Sequence, residues 1–85
     1  MKKKTVVDLF CGAGGLSKGF LDAGYNVVLG VDYDESALKT FQNNHGTATA
    51  MKLDLYNHDN ITCIVDFLKD NNIENLDVLV GGPPC

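Results

Sequence analysis

The sequence predicts an α/β fold built on a parallel sheet, and two features of its pattern indicate this class. Short runs rich in β-branched residues alternate with helical patterns along the chain, as in sheets whose parallel strands are joined by helices. The run at residues 26–31 is almost entirely apolar, which is typical of a strand covered by helices on both faces. The chain has 85 residues and no linker or repeat, so we assign residues 1–85 to one small domain.

The first predicted unit is a strand, a glycine-rich turn and a helix. Residues 5–10 are mostly apolar and β-branched, and residues 12–15 supply the glycines that end this strand. The helix that follows has Gly24 in place to end it. Its predicted inward face consists of Leu16, Phe20, Leu21 and Ala23.

The second unit begins with the apolar strand at residues 26–31. Asp34 is placed to cap a helix whose inward residues are Ala37, Leu38 and Phe41. Residues 48–53 form a weaker third strand.

The third helix has the clearest periodicity in the chain. We expect Asn60 to cap it, and its predicted inward residues lie at positions i, i+3, i+4 and i+7: Ile61, Ile64, Val65 and Leu68. A fourth strand at residues 77–80 then leads into residues 81–85.

The order of these strands follows from the handedness of their connections. Parallel strands joined by helices cross over right-handed, so a Rossmann-like arrangement has the sheet order 3-2-1-4. The carboxyl ends of strands 1 and 4 then flank the point where the strand order reverses, which is where ligands bind in open α/β sheets. The glycine turn and Cys85 lie at those two ends.

The glycine turn and the acidic strand ends indicate a nucleoside ligand. Glycines at 12, 14 and 15 let backbone N–H groups approach a ligand at a helix N-terminus. Asp32 lies 20 residues after Gly12, the spacing at which an acid binds ribose hydroxyls. Tyr33 can lie against adenine, and Asp54 can accept from its amine. The third glycine of the dinucleotide fingerprint is missing, so S-adenosylmethionine fits better than NAD.

Composition limits the partners. The net charge is −4, so the chain by itself is a poor nucleic-acid binder. Its three cysteines form no CxxC pair, which favours a reducing cytoplasm over a disulfide framework or a metal site. No apolar run approaches the ~20 residues that cross a bilayer, and the apolar stretch after the N-terminal lysines is too short for a signal peptide. We therefore expect a cytoplasmic protein without a membrane span.

Several polar and thiol side chains have structural interpretations. We expect Cys11 to be a small filler in the turn and Cys63 a structural or surface thiol. His45 and His58 follow polar, turn-like residues, so we expect both to be solvated. Asp8 lies within an apolar strand and must accept hydrogen bonds there, so its expected role is to organise the glycine turn.

Two terminal motifs resemble a known family. The segment DLFCGAGGLS at residues 8–17 resembles the first block of cytosine-5 DNA methyltransferases, and GGPPC at residues 81–85 resembles their catalytic Pro-Cys block. The segments VDYD at residues 31–34 and LDL at residues 53–55 resemble the second and third cofactor blocks. Asp32 stands where the family often has Glu, and Tyr33 where it often has Trp; both exchanges keep the chemistry.

The resemblance implies a role for each site residue. Phe10, Gly12 and Gly15 would line the methionine side of S-adenosylmethionine, Asp32 would bind ribose, and Tyr33 and Asp54 would meet adenine. The full implied cofactor set is Phe10, Gly12, Ala13, Gly14, Gly15, Asp32, Tyr33, Asp54 and Leu55. Cys85 would be the nucleophile that attacks a cytosine extruded from DNA.

The same resemblance implies parts that these residues do not contain. A target-recognition region, substrate-binding arginines and a segment closing the cofactor pocket belong to the family pattern, so we expect the 85 residues to be inactive alone. DNA would be bound through those regions or through a complementary C-terminal half. Two alternatives stay open: the same reaction on transfer RNA, and a non-catalytic module of a truncated or split enzyme.

Overall fold

Four parallel strands form the centre of the chain. The computed structural model describes residues 4–12, 14–46, 48–73 and 76–81. The strands are β1 (Thr5–Leu9), β2 (Asn26–Asp32), β3 (Thr49–Lys52) and β4 (Val78–Gly81). Their order in the sheet is β3-β2-β1-β4, and each adjacent pair is parallel. The predicted fold class and strand order are confirmed.

Three helices connect these strands: α1 (Gly15–Asp22), α2 (Glu35–Asn44) and α3 (Ile61–Asp70), the last preceded by a short 3-10 turn, His58–Asn60. Gly24 ends α1 as predicted, with φ +92°. The N–H groups of Gly24 and Tyr25 donate to the carbonyls of Leu21 and Phe20, and the Phe20 and Tyr25 rings pack edge to face. This is a Schellman ending with its usual apolar contact. None of the described helices is long and apolar enough to span a membrane.

Side chains of the strands enter two apolar layers, one on each face of the sheet, and the β1–β2 register shifts between Val6 and Val7, so that Val27 and Leu29 lie in different layers. Val6 and Val27 pack with Leu38 and Phe41 of α2 on one face. On the other face, the buried side chains that pack together are Val7, Leu29, Val31 and Ile64. The helices thus hold β1 and β2 from both sides, and both strands end at the same edge of the sheet.

The predicted inward face of α3 is only partly correct. Ile64 is buried and Leu68 is half-buried, but Ile61 and Val65 are 44% and 43% exposed. Leu79 of β4 is 60% exposed, although it pairs with the buried Val7. The described sheet therefore leaves apolar surface uncovered beside its β4 edge.

The predicted cap of α3 also differs from the structure. Asn60 occupies the N-cap position but makes no side-chain capping bond to the helix. Its Nδ2 donates instead to the Asp54 carbonyl at 2.9 Å. The Asn57 side chain accepts from the Asp59 N–H and caps the preceding 3-10 turn. In contrast, Asp34 caps α2 as predicted, accepting from the Ser36 and Ala37 N–H groups.

We expect the isolated chain to self-associate because β4 is an edge strand among the described strands and carries the exposed Leu79. A lysine on an edge strand opposes pairing with a second chain. Leu79→Lys should therefore shift the species seen by light scattering after gel filtration towards the monomer, at micromolar concentrations and above. Leu21, which the helical pattern predicts to face inward, is 37% exposed on α1, so Leu21→Lys is the matched control and should leave association unchanged. A wild-type chain that is fully monomeric throughout would contradict this prediction.

Candidate active site

Asp32, the last residue of β2, joins three segments at the carboxyl edge of the sheet. Its Oδ2 accepts from the Gly12 N–H at 2.7 Å, and its Oδ1 accepts from the N–H groups of Tyr33 at 2.7 Å and Asp34 at 3.0 Å. Its carbonyl oxygen accepts from the Leu53 N–H after β3. A carboxylate has about four lone-pair sites, so these three side-chain bonds leave about one for a ligand.

A cleft of about 650 Å³ opens beside this carboxylate. It lies where the segments after β1, β2 and β3 meet. The described residues that line it are Phe10, Gly12, Asp32, Tyr33, Asp34, Ala37, Leu53, Asp54, Leu55 and Tyr56. The structure therefore brings together six residues predicted from the sequence: Phe10, Gly12, Asp32, Tyr33, Asp54 and Leu55.

The charge of the cleft is negative. The described residues of its lining include three carboxylates, those of Asp32, Asp34 and Asp54, and no lysine. Lys52 lies nearby, with its Nζ 5.6 Å from the centre of the Tyr33 ring and 3.8 Å from Glu35 Oε2. Carboxylates repel phosphate groups and accept hydrogen bonds from hydroxyl and amine groups. The cleft therefore suits a ligand with hydroxyl and amine donors that is neutral or positively charged.

Aromatic rings frame the same cleft. Tyr33 and Tyr56 are each 67% exposed, and the Tyr56 ring lies 5.8 Å from the Phe10 ring, centre to centre. Tyr56 is a lining residue that the sequence analysis did not select. The sequence signal that could have found it is its position two residues after Asp54. An Asp side chain often accepts a hydrogen bond from the backbone N–H two residues further along the chain, and Asp54 Oδ1 accepts from the Tyr56 N–H at 3.0 Å.

The glycines at positions 12, 14 and 15 of the turn differ in their local surroundings. The Gly12 N–H is bonded to Asp32. Gly14 has φ +96°, and a Cβ there would lie 2.6 Å from His45 Cε1 and 2.8 Å from Phe41 Cδ2. Gly14 is thus required by backbone conformation and close packing. Gly15 begins α1 and is exposed; neither it nor Gly14 lines this cleft.

A buried polar pair supports the turn from within the sheet. Asp8 and Ser17 are both buried, and the Ser17 hydroxyl donates to Asp8 Oδ2. Burial raises the pKa of the Asp8 carboxyl, while the Ser17 hydrogen bond and the nearby His45 lower it. Since Ser17 lies in the first turn of α1, this bond ties α1 to β1 and supports the predicted organising role of Asp8.

His45 corrects an expectation. Its position after polar residues predicts a solvated side chain, but the residue is 3% exposed and its ring stacks on Phe41 with 4.5 Å between centres. Its Nδ1 lies 3.0 Å from the Phe41 carbonyl oxygen. The missing Cβ of Gly14 makes room for the ring, so a polar residue after α2 becomes part of the core.

The two described cysteines behave differently. Cys11 is buried, and burial raises the pKa of its thiol to about 12. Such a thiol is a poor nucleophile at neutral pH, which agrees with the filler role expected for it. Cys63 is exposed on α3. Among the described residues, no cluster of three or more His, Cys, Asp or Glu side chains could hold a metal ion.

Two predicted site residues, Ala13 and Cys85, lie outside the described residues. The strand that leads towards Cys85 is described as far as Gly81, which pairs with Leu9 in the parallel β1–β4 ladder. The carboxyl ends of β1 and β4 are therefore neighbours. This adjacency is the one that the predicted strand order requires.

The known proteins to which this chain is similar indicate one family. The model of the C-5 cytosine-specific DNA methylase family matches residues 4–85. Type II methyltransferase M.HgiDI from Herpetosiphon aurantiacus is 39% identical over 93% of this chain, which spans 23% of that protein. Type II methyltransferase M.AgeI from Thalassovita gelatinovora is 36% identical over 93% of this chain and 18% of its own length.

The fold has a solved counterpart. A crystal structure described as a DNA modification methyltransferase encoded within an E. coli prophage superposes with a TM-score of 0.84. It is 36% identical in sequence, and the match covers 98% of this chain and 23% of that one. This chain thus spans less than a quarter of the length of each of these three proteins.

Proposed function

The chain belongs to the C-5 cytosine-specific DNA methylase family, and from this membership we propose that it is the cofactor-binding part of a DNA cytosine-5 methyltransferase. The observation that carries the proposal is the position of Asp32. Its carboxylate fixes the turn after β1, and its carbonyl fixes the segment after β3, at the edge where the cleft opens. The cleft is proposed to bind S-adenosylmethionine, which supplies the methyl group of the reaction.

The chemistry of the cleft fits this cofactor. S-adenosylmethionine has no phosphate and carries a positive sulfonium, which suits a cleft whose described lining has three carboxylates and no lysine. In the proposed arrangement, Asp32 accepts from a ribose hydroxyl, Asp54 accepts from the adenine amine, and Tyr33 lies against the adenine ring. Phe10 and Gly12 of the lining are proposed for the methionine side together with Gly15, and Ala13, Gly14 and Leu55 complete the proposed set, although Gly14 and Gly15 do not belong to the described lining.

Cys85 is proposed as the nucleophile. Its thiolate would add to C6 of a cytosine extruded from DNA, which makes C5 electron-rich enough to accept a methyl group. Loss of the C5 proton and elimination of the thiolate then restore the aromatic ring. Since β4 ends beside β1, the segment leading to Cys85 starts next to the turn that the cofactor is proposed to occupy.

DNA binding is proposed to depend on protein beyond these residues. The chain carries a net charge of −4, whereas phosphate binding needs a basic surface. Target recognition would thus come from the remainder of a longer protein or from a complementary chain, and the whole enzyme would act in the cytoplasm. The family description favours DNA over transfer RNA as the substrate.

We expect Asp32→Ala to lower the affinity for S-adenosylmethionine by about tenfold to a hundredfold. A hydrogen bond to a charged group contributes about 1.5–3 kcal/mol, which corresponds to that range. The substitution also releases the Gly12 N–H from its partner. Isothermal titration calorimetry measures the change directly.

Asp22→Ala is the matched control for this substitution. Asp22 is an exposed carboxylate at the end of α1, away from the cleft, so its removal should leave the affinity within about twofold. Equal affinities of wild type and Asp32→Ala would remove Asp32 from the binding site.

A further inference from the structure

Tyr56 is an exposed aromatic residue that the family resemblance does not assign. Its ring lines the cleft and contacts the Phe10 ring at a 59° tilt. Two-thirds of the residue is exposed, so the contact with Phe10 covers only part of the ring. The remaining aromatic surface borders the proposed cofactor site.

Hydrogen bonds to Asp54 hold the segment that carries Tyr56. Asp54 Oδ1 accepts from the Tyr56 N–H at 3.0 Å. The Asp54 carbonyl accepts from the Asn57 N–H at 3.1 Å and from Asn60 Nδ2 at 2.9 Å. These bonds form a turn between β3 and α3 that fixes the backbone of Tyr56. Because this backbone is already ordered, little further conformational entropy is lost when a ligand binds against the ring.

Phe10 is held in a strained conformation on the other side of this contact. Its φ of +59° lies in the left-handed region, which is unfavourable for a residue with a Cβ. The next two residues compensate, because the Cys11 N–H donates to the Val31 carbonyl and the Gly12 N–H donates to Asp32. Backbone strain that is maintained in this way is concentrated at functional sites.

We propose that Tyr56, supported by its contact with Phe10, forms an aromatic wall that packs against the purine ring of the adenosine-containing ligand and sets part of the affinity for that ring. This inference rests on the proposed function and adds a purine contact from the β3–α3 segment. An aromatic side chain provides a flat apolar surface for a heteroaromatic ring, and such stacking adds measurable affinity for each base. The surrounding carboxylates select against a phosphorylated nucleotide.

Tyrosine fluorescence tests the wall directly, since the chain contains three tyrosines and no tryptophan. The double variant Tyr25→Phe/Tyr33→Phe leaves Tyr56 as the only tyrosine and keeps every ring. Titration with S-adenosylmethionine should quench its emission to saturation. The matched variant Tyr33→Phe/Tyr56→Phe leaves Tyr25, which packs against Phe20 at the end of α1; its emission should change only through absorption by the ligand.

Equilibrium dialysis with radiolabelled S-adenosylmethionine measures the contribution to affinity. Tyr56→Ala should weaken binding by about 5- to 20-fold, the lower part of the range for base stacking, whereas Tyr56→Phe should bind like the wild type. Val65→Ala removes a similarly exposed apolar side chain from α3 and should have no effect.

The outcomes separate this inference from the proposed function. If Tyr25→Phe/Tyr56→Phe, which retains Tyr33, is quenched while the Tyr56-only variant is not, the cofactor binds without the wall and the inference is wrong. Wild-type affinity in Tyr56→Ala would overturn it in the same way. Absence of any binding by a wild-type protein that joins this chain to the remainder of a methyltransferase would instead refute the cofactor assignment, and this inference with it.

Discussion

Replacement of Cys85 by Ser should abolish methyl transfer in a protein that joins this chain to the remainder of a methyltransferase. A serine hydroxyl has nearly the shape of the thiol but is hardly ionised near neutral pH, so it cannot add to C6 of cytosine at a useful rate. We expect the rate to fall at least about a thousandfold. Transfer of radiolabelled methyl groups from S-adenosylmethionine to DNA measures it.

The same variant should bind the cofactor normally, because the proposed cleft is lined by residues before β4. Cys11→Ser is the matched control, since Cys11 is buried beside the turn and burial raises the pKa of its thiol to about 12. It should retain transfer if it remains folded. Activity of Cys85→Ser within tenfold of the wild type would show that another residue is the nucleophile.

The largest effect on stability is expected from Phe41→Ala. Phe41 is fully buried and lies between Gly30 and the His45 ring; a Cβ on Gly30 would be 2.4 Å from Phe41 Cζ. Removing a buried Phe side chain costs about 3–5 kcal/mol, a large part of the roughly 5–15 kcal/mol that stabilises a small domain. Urea denaturation followed by circular dichroism should show a much lower midpoint or no folded baseline.

Phe67→Ala provides the comparison for this effect. Phe67 lies on α3 and is half-buried, so its loss should cost clearly less. Equal effects of Phe41→Ala and Phe67→Ala would contradict the expectation that Phe41 contributes more to stability than a half-buried ring on α3.

The strand order could be predicted because it depends on rules that act on the whole chain. The alternation of strands and helices and the right-handed crossover placed β1 beside both β2 and β4, as observed. Asp32 was found because its distance along the chain from Gly12 follows a pattern set by the βαβ unit. What the spacing could not show is that its carboxylate is already occupied by three backbone N–H groups.

The errors arise where tertiary packing overrides local pattern. His45 follows polar residues, yet Gly14, from another part of the chain, makes room for its ring in the core. The apolar period of α3 predicts which residues share a face, but whether Ile61 and Val65 are covered depends on what packs beside β4. Tyr56 could not be selected from the sequence because single exposed aromatic residues are common on protein surfaces. Its significance comes from its contact with Phe10 in the lining of the cleft.

The central claim is that the cleft between the segments after β1, β2 and β3 binds S-adenosylmethionine. Amide chemical shifts test it most directly because they report both binding and location, and they are followed during titration with S-adenosylmethionine in a protein that joins this chain, labelled with nitrogen-15, to the remainder of a methyltransferase. We predict saturable shifts of the Gly12, Tyr33, Asp54 and Tyr56 amides. The Leu79 amide on β4 should stay unchanged, and ATP should produce no comparable shifts, since three carboxylates line the cleft. Unchanged cleft amides at saturating S-adenosylmethionine, or the same shifts with ATP, would contradict the assignment.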